Sequence, residues 1–359
     1  MEKLSLEKLG WNSFFEQYLG VNDFIPARIV RKHNSGYDLA CQEGVYYARI
    51  RGKLRKDLPK EQWPAVGDWV MCTLEKEYAM IESILPRKSK ISRKVSGKTS
   101  QEQIIAANAV TIFLVVSLFE DFNPRKIERY LALIAESHAK PVVILNKVDL
   151  IEDAKPYLEE AGKLVNNTPI LVTNALKPET LSILEQYTNK GQTSVFLGSS
   201  GAGKSTIVNV LLGIGHQKQT VNDIGKHNKG KHTTTSRDML FLDNGGILID
   251  NPGIRELRVW LDGDEALNES FADIEELAKQ CRFRDCLHDM EPDCKVCEAI
   301  KNGVLDQERV DNWRKLREES LELLMKRQEF GRYVDKSQSN RLAKWTKSAR
   351  KKSCRRGLR

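Results

Sequence analysis

The densest chemistry in the chain is Gly198-Ser199-Ser200-Gly201-Ala202-Gly203-Lys204-Ser205, a G-x-x-x-x-G-K-S phosphate loop. An apolar run at 194–197 precedes it and an apolar-periodic stretch begins at Thr206, which is the strand–loop–helix order such a loop needs. Glycines let successive backbone N–H groups converge on phosphate oxygens. Lys204 is placed to neutralise the β- and γ-phosphates and to act in their transfer, and the Ser205 hydroxyl to hold Mg²⁺. The helix starting beside Thr206 adds the positive end of its dipole. Further on, Asp250-Asn251-Pro252-Gly253 closes the strand-like run 246–249. An Asp at such a strand end holds Mg²⁺, and the Gly253 N–H is placed to sense the γ-phosphate.

A phosphate loop does not choose a base; Asn146-Lys147-Val148-Asp149 does. Guanine presents two adjacent donors, N1–H and the N2 amino group, and an ionised Asp149 accepts both, whereas adenine has no such pair. Asn146 braces the loop and approaches the O6/N7 edge, and the Lys147 stem lies over the base plane. After the run 170–173, the segment Thr173-Asn174-Ala175 is placed to aim a backbone N–H at O6. GTP or GDP with Mg²⁺ is the ligand these residues predict. Their order is unusual: the base motif comes before the phosphate loop, and Asp250 after it. Because every motif follows a strand, one pocket at the carboxyl ends of a sheet still assembles, as in a circularly permuted domain.

A second chemistry sits further on, in Cys281-x4-Cys286-x-His288-x5-Cys294, with Cys297 three residues later. Three thiols and an imidazole at this spacing make a structural zinc set, one ion per chain. A reducing compartment argues against disulfides. Cys297 is an alternative ligand in place of one of the four.

The elements that must position these groups divide the chain of 359 residues, enough for two or three domains. Residues 1–25 carry apolar side chains mostly at helical spacing and read as a short N-terminal helical extension. Residues 26–85 show five short β-rich runs punctuated by Gly36, Gly44, Gly52 and Gly67, the pattern of an oligonucleotide-binding (OB) type barrel. Arg28, Arg31, Lys32, Arg49, Arg51, Lys53, Arg55 and Lys56 lie in or beside these runs, and Tyr37, Tyr46, Tyr47, Trp63 and Trp69 offer stacking faces, some of which serve equally as core. Residues 86–103 are basic and polar and read as a linker. From 104 to 264, apolar runs alternate with helix-like stretches, which predicts an α/β domain with a doubly wound, mostly parallel sheet. Residues 265–335 are helical and cysteine-bearing, with 306–328 expected as one amphipathic helix, and 336–359 form a basic tail.

The permuted motif order, the β domain before it and the cysteine cluster after it resemble the small ribosomal subunit-dependent GTPases of the RsgA family, over about residues 25–335. The resemblance implies slow GTP hydrolysis stimulated by the small ribosomal subunit, with nucleotide state controlling rRNA binding and release during late subunit maturation. It implies Cys281, Cys286, His288 and Cys294 as the zinc ligands. Ile254 stands where Ras-like enzymes place a water-orienting Gln, so the resemblance passes that role to His232, in a switch-like Gly230-Lys231-His232-Thr233-Thr234-Thr235 segment. Thr234 is the first choice for sensing Mg²⁺, with Thr233 and Thr235 as alternatives. Two positions depart from the family pattern: Asn251 stands for Thr or Ser, and Asn174 for Ser.

The overall charge of +8 comes from 57 basic and 49 acidic residues, and it is uneven. Residues 336–359 hold 10 Lys and Arg and no acid, leaving 47 basic against 49 acidic residues elsewhere; 26–100 holds 16 basic and 8 acidic. Two basic patches flanking a near-neutral centre predict a polyanionic partner, which the resemblance implies is rRNA. The longest apolar run, 109–118, is too short for a membrane helix, which needs about 18 residues or more, and residues 1–17 lack signal-peptide texture. A cytoplasmic monomer without membrane contact is expected. Two other readings make different predictions: a passive RNA scaffold shows no turnover, and an ATP-dependent enzyme lets ATP displace GTP.

Overall fold

The computed structural model describes residues 4–19, 23–94, 102–119, 121–165, 167–213, 237–250, 265–289, 291–322 and 324–325. Five strands open the chain: β1 (Ile25–Lys32), β2 (Tyr37–Cys41), β3 (Gly44–Ile50), β4 (Trp69–Leu74) and β5 (Ala79–Ile84). They close into a barrel in the ring order β1-β2-β3-β5-β4-β1, with β3–β5 parallel and the other pairs antiparallel. Alternate residues fill it: Ala27 and Ile29, Tyr37, Leu39 and Cys41, Val70 and Cys72, Ala79 and Ile81. This is the period-two pattern that barrel closure demands. Between β3 and β4 lies α1 (Gly52–Asp57), which presents Lys53, Arg55 and Lys56 to solvent beside Arg49 and Arg51.

The N-terminal segment is not the single helix its apolar spacing predicts. Among its described residues, only Ser13–Glu16 is helical, capped by the Asn12 side chain accepting from the Phe14 N–H. The chain bends at Gly10, whose φ is +89° and where a Cβ would come 2.8 Å from the Gly191 carbonyl. Leu9, Trp11 and Phe15 then cover Trp69, with the Trp11 and Trp69 rings edge-on at 4.7 Å. Trp69 is therefore core, as is Tyr37, and neither offers a stacking face. The three basic residues of β1 also turn away from solvent partners. Arg28 is 1% exposed, Arg31 pairs with Asp238, and Lys32 donates to the Pro64 carbonyl.

The stretch read as a linker contains a strand. β6 (Lys90–Lys94) pairs antiparallel with β7 (Glu102–Ala107), which supplies most of the pair's buried apolar side chains, Ile104 and Ile105 against the single Ile91 of β6.

The second sheet runs β8 (Thr111–Ser117), β9 (Lys140–Asn146), β10 (Ile170–Thr173), β11 (Thr193–Leu197), β12 (Arg237–Phe241) and β13 (Ile247–Asp250). Its order is β10-β9-β8-β11-β13-β12, parallel except for β12. Successive residues of one strand serve opposite layers. Phe113 and Val115 join Phe196, Ile207 and Leu248 on one face; Ile112, Leu114 and Val116 join Ile127, Leu131 and Val195 on the other. The helices that cover these faces include α2 (Pro124–Glu136), α3 (Lys155–Leu164) and α4 (Lys204–Leu211). β12 also pairs with β1, which joins the barrel to this sheet.

The C-terminal part is helical: α5 (Glu265–Ser270), α6 (Ala272–Ala278), α7 (Lys295–Lys301) and α8 over 307–322. α8 buries Val310, Trp313 and Leu316 at helical spacing. Among the described residues, no helix is long and apolar enough to cross a membrane.

Candidate nucleotide site and metal centre

β8, β9, β10, β11 and β13 deliver their motifs at one edge. Ser117 pairs with Asn146, Asn146 with Thr173, and Leu197 with Leu114 on β8, so the carboxyl ends of these strands lie in register. The loop after β11 uses its glycines for two separate reasons. Gly198 has φ +136°, and a Cβ there would lie 2.1 Å from the Val115 carbonyl of β8. Gly203 has φ +102° at the start of α4, and a Cβ there would lie 2.1 Å from the Asn146 amide nitrogen. Only glycine satisfies both backbone and space at these points.

Lys204 folds back over the loop and donates from Nζ to the carbonyls of Gly198 (2.8 Å) and Ser199 (2.6 Å). Burial pulls its pKa below the ordinary lysine value, and Asp121 opposes that shift. Asp121 is itself paired with Lys126. Ser200, Gly201 and Ser205 are exposed, Ser199 and Thr206 are half-buried, and Ala202 is buried.

Asn146 joins the base motif to the phosphate loop. Its Nδ2 donates to the Ala202 carbonyl (2.9 Å), while its Oδ1 accepts from Thr173 Oγ1 (3.1 Å) and the Ala175 N–H (3.1 Å). All four residues are at least 95% buried. The sequence names Thr173 only for its backbone; the bond from its hydroxyl to Asn146 carries no motif signal.

Two of the backbone N–H groups of 173–175, expected to aim at O6, have partners within the chain. The Ala175 N–H is donated to Asn146, and the Asn174 N–H to Thr180 Oγ1. Asn174 also accepts from the Leu176 N–H through its side chain, an Asx turn that explains Asn in place of Ser. Lys147 takes the left-handed φ of +66°, which swings the next turn outward and leaves Asp149 exposed. Asp250 is half-buried at the end of β13. Its carboxylate and the Ser205 hydroxyl are hard oxygen donors, which suits Mg²⁺. Asn251, Gly253, His232, Thr233, Thr234 and Thr235 lie outside the described residues, as does the tail 336–359.

The cysteine cluster gathers four groups. The ligand atoms of Cys281, Cys286, His288 and Cys294 all lie within 4.8 Å of one another. Cys281 and Cys294 sulfurs are 3.8 Å apart, and each is 3.5 Å from His288 Nδ1. A tetrahedron of about 2.3 Å metal–sulfur bonds has sulfur–sulfur edges of about 3.8 Å, so the donor set fits zinc in chemistry and size. Cys297 points elsewhere, its Sγ donating to the carbonyls of His288 (3.2 Å) and Asp289 (3.4 Å). Its N–H donates to the Cys294 sulfur at 3.4 Å and so starts α7.

Burial pushes the Cys286 thiol up to about 12. Burial also acts to raise Cys294, but hydrogen bonds from Cys297, Cys286 and Cys281 outweigh it and bring Cys294 below its ordinary value. A divalent ion held by these four groups would take the place of the thiol protons.

Comparison with known proteins agrees with this geometry. The family model described as RsgA GTPase matches residues 84–260, and that described as RsgA N-terminal domain matches 27–80. The chain is 43% identical over 315 residues to "Small ribosomal subunit biogenesis GTPase RsgA 2" of Vibrio parahaemolyticus, covering 87% of this chain and 84% of that protein. A relative in Opitutus terrae, "Small ribosomal subunit biogenesis GTPase RsgA", is 38% identical over 331 residues, covering 88% and 90%. Among solved structures, YjeQ from Thermotoga maritima aligns with TM-score 0.61 and 27% identity, over 83% of this chain and 99% of that one. YloQ, described as a circularly permuted GTPase, aligns with TM-score 0.58 and 23% identity, over 85% and 97%, and shares the fold.

Proposed function

The chain belongs to the RsgA family of GTPases, and from that premise we propose that it hydrolyses GTP while bound to the small ribosomal subunit, as a step in that subunit's late maturation. The observation that carries this reading is Asn146, which ties the base-selecting loop to the phosphate loop through Ala202 in a permuted chain. Binding of guanine is thereby felt at the phosphates.

In this reading Asp149 accepts from the two guanine donors, Lys147 covers the base, and the N–H groups of 201–205 surround the phosphates. The Lys204 ammonium leaves the Gly198 and Ser199 carbonyls for the β- and γ-phosphate oxygens. Ser205 and Asp250 hold Mg²⁺, which supplies charge neutralisation at the transferring phosphoryl group. His232 orients the attacking water, and Thr234 completes the Mg²⁺ contacts. The exposed Arg49, Arg51, Lys53, Arg55 and Lys56 of the barrel and the basic tail face rRNA. Cys281, Cys286, His288 and Cys294 hold one zinc, which fixes the C-terminal module. The domain limits follow the same reading: extension 1–25, barrel 26–85, connecting segment 86–103, GTPase 104–264, zinc module 265–335 and tail 336–359. The protein works as a cytoplasmic monomer.

The test is GTP turnover measured alone, with purified small subunits and with large subunits, repeated after deletion of 336–359. Stimulation by small subunits alone is expected, with the deletion weakening subunit affinity and its salt dependence. Absence of stimulation refutes the reading. Asp149→Asn should shift preference toward xanthosine nucleotides, and His232→Ala should keep GTP binding while losing stimulated turnover.

A further inference from the structure

Arg31 joins the barrel to β12, the strand beside the one that ends in Asp250. Among the described residues, backbone pairing between β1 and β12 comprises Arg31 opposite Asp238 and Lys32 opposite Arg237. At that short seam the Arg31 guanidinium forks onto the Asp238 carboxylate, Nε to Oδ1 at 2.6 Å and a terminal nitrogen to Oδ2 at 3.1 Å. Both side chains are about four-fifths buried, with relative exposures of 17% and 21%. A second carboxylate, Asp38 on β2, stands further off at 3.8 Å and is held by His33 at 2.9 Å.

Asp238 in turn is the cross-strand partner of Asp250 on β13. Directly opposite residues of an antiparallel pair project on the same face, so Arg31, Asp238 and Asp250 form one row across three strands. Two like charges directly opposite each other are unfavourable, and they also compete for any cation nearby. The Arg31 fork engages both oxygens of Asp238. It thereby cancels that carboxylate's charge beside Asp250 and occupies the atoms with which Asp238 would draw a metal away.

We propose that Arg31, a residue of the barrel, is a positioning residue for the GTPase reaction: by neutralising Asp238 it leaves Asp250 as the carboxylate that binds Mg²⁺. This rests on the reading of Asp250 as the Mg²⁺ carboxylate. It makes metal binding in one domain depend on the seam with another, without any contact between Arg31 and nucleotide.

The experiment follows release of a fluorescent N-methylanthraniloyl (mant) GDP from the full-length protein across a Mg²⁺ titration. Metal binding is read from the slowing of release, independently of turnover. For Arg31→Gln, the Mg²⁺ concentration giving half-maximal slowing is expected to rise about tenfold or more, with release in EDTA unchanged. In the double variant Arg31→Gln, Asp238→Asn, the competing charge is gone and the Mg²⁺ midpoint is expected to return toward that of the unmodified protein. Removing the second partner also relieves a purely structural defect, so thermal stability is measured on the same proteins, and a Mg²⁺ midpoint that only follows stability overturns the proposal. An unchanged midpoint in Arg31→Gln, or no recovery in the double variant, overturns the proposal. Asp250→Asn is run alongside: if it leaves the Mg²⁺ dependence intact, the assignment of Asp250 fails, and the proposal with it, by a separate route.

Discussion

The side-chain amide of Asn146 donates to the carbonyl of Ala202, 56 residues later in the chain, at 2.9 Å. It links the end of β9 to the loop after β11 across the intervening strand β8. The same amide's oxygen holds Thr173 and Ala175 at the end of β10.

Replacing Asn146 by Ala therefore strands three buried polar groups at once. Each unsatisfied group costs about 1–3 kcal/mol. Part of that loss falls on the nucleotide-bound form, in which both loops must be ordered. GDP affinity is expected to fall by about a hundredfold or more, measured by mant-GDP titration. Thr173→Val removes only one of the bonds, so its loss should be smaller and in the same direction.

The phosphate loop offers a graded test. Gly201 has φ +81° with nothing within 4 Å of an added Cβ, whereas Gly203 has φ +102° and meets the Asn146 amide at 2.1 Å. Gly201→Ala costs backbone strain alone, of order 1–3 kcal/mol. Gly203→Ala adds a collision with the residue that joins the two loops. Nucleotide affinity should drop for both variants and much further for Gly203→Ala. Equal losses in a side-by-side titration would show that the Asn146 contact is unimportant.

What was legible in the sequence was what is local. The phosphate loop, Asn146-Lys147-Val148-Asp149 and the cysteine cluster are short strings whose chemistry depends on spacing, and the strands of both sheets announce themselves by alternation or by continuous apolar runs. The features that stayed hidden depend on what lies across space. β6 carries one buried apolar side chain, Ile91, so it has no period to read, and its pairing with β7 is what makes it a strand. Arg28 reads as an RNA-facing surface residue. It is buried because Leu9, Gly67 and Thr193 supply oxygens for its guanidinium and Trp69 supplies a ring face at 5.5 Å. Burial brings its pKa down to about 9, so it remains protonated at neutral pH. Gly10 breaks a helical apolar pattern because the backbone of Gly191 comes too near for any side chain.

Metal removal separates the two sites. The Cys294 sulfur both faces the other three ligands and accepts the Cys297 N–H in the first turn of α7, while the His288 ring lies tilted against Trp313 of α8 with centroids 5.5 Å apart. A chelator should therefore release one zinc per chain and lower helicity, read by circular dichroism, with mant-GDP affinity unchanged. Cys286→Ser should do the same. Zinc retention should weaken as pH falls. Binding requires the thiols to lose protons, and Cys286, pushed up to about 12, holds its proton at every pH below that in the metal-free cluster.

The last prediction concerns how the zinc module is attached. Glu128, in the middle of α2 and 2% exposed, accepts from Arg125, from Arg309 and from Asn312, the last at 2.6 Å. Arg309 continues the network to Asp273 and lies 4.8 Å over the Phe271 ring. A second fork joins Arg129 to Glu319. Removing one partner of a buried ion pair typically costs about 3–5 kcal/mol, because the other charge is left uncompensated. Glu128→Ala should therefore loosen α8 from α2, and limited proteolysis of the C-terminal module should accelerate while zinc content and GDP affinity hold. A buried pair replaced on both sides by apolar groups is often neutral. Arg309 has a second acid in Asp273, so Glu128→Leu combined with Arg309→Met should recover only part of the protection. Full protection in Glu128→Ala would mean that apolar contacts around Trp313 and Leu316 hold the module without the ionic network.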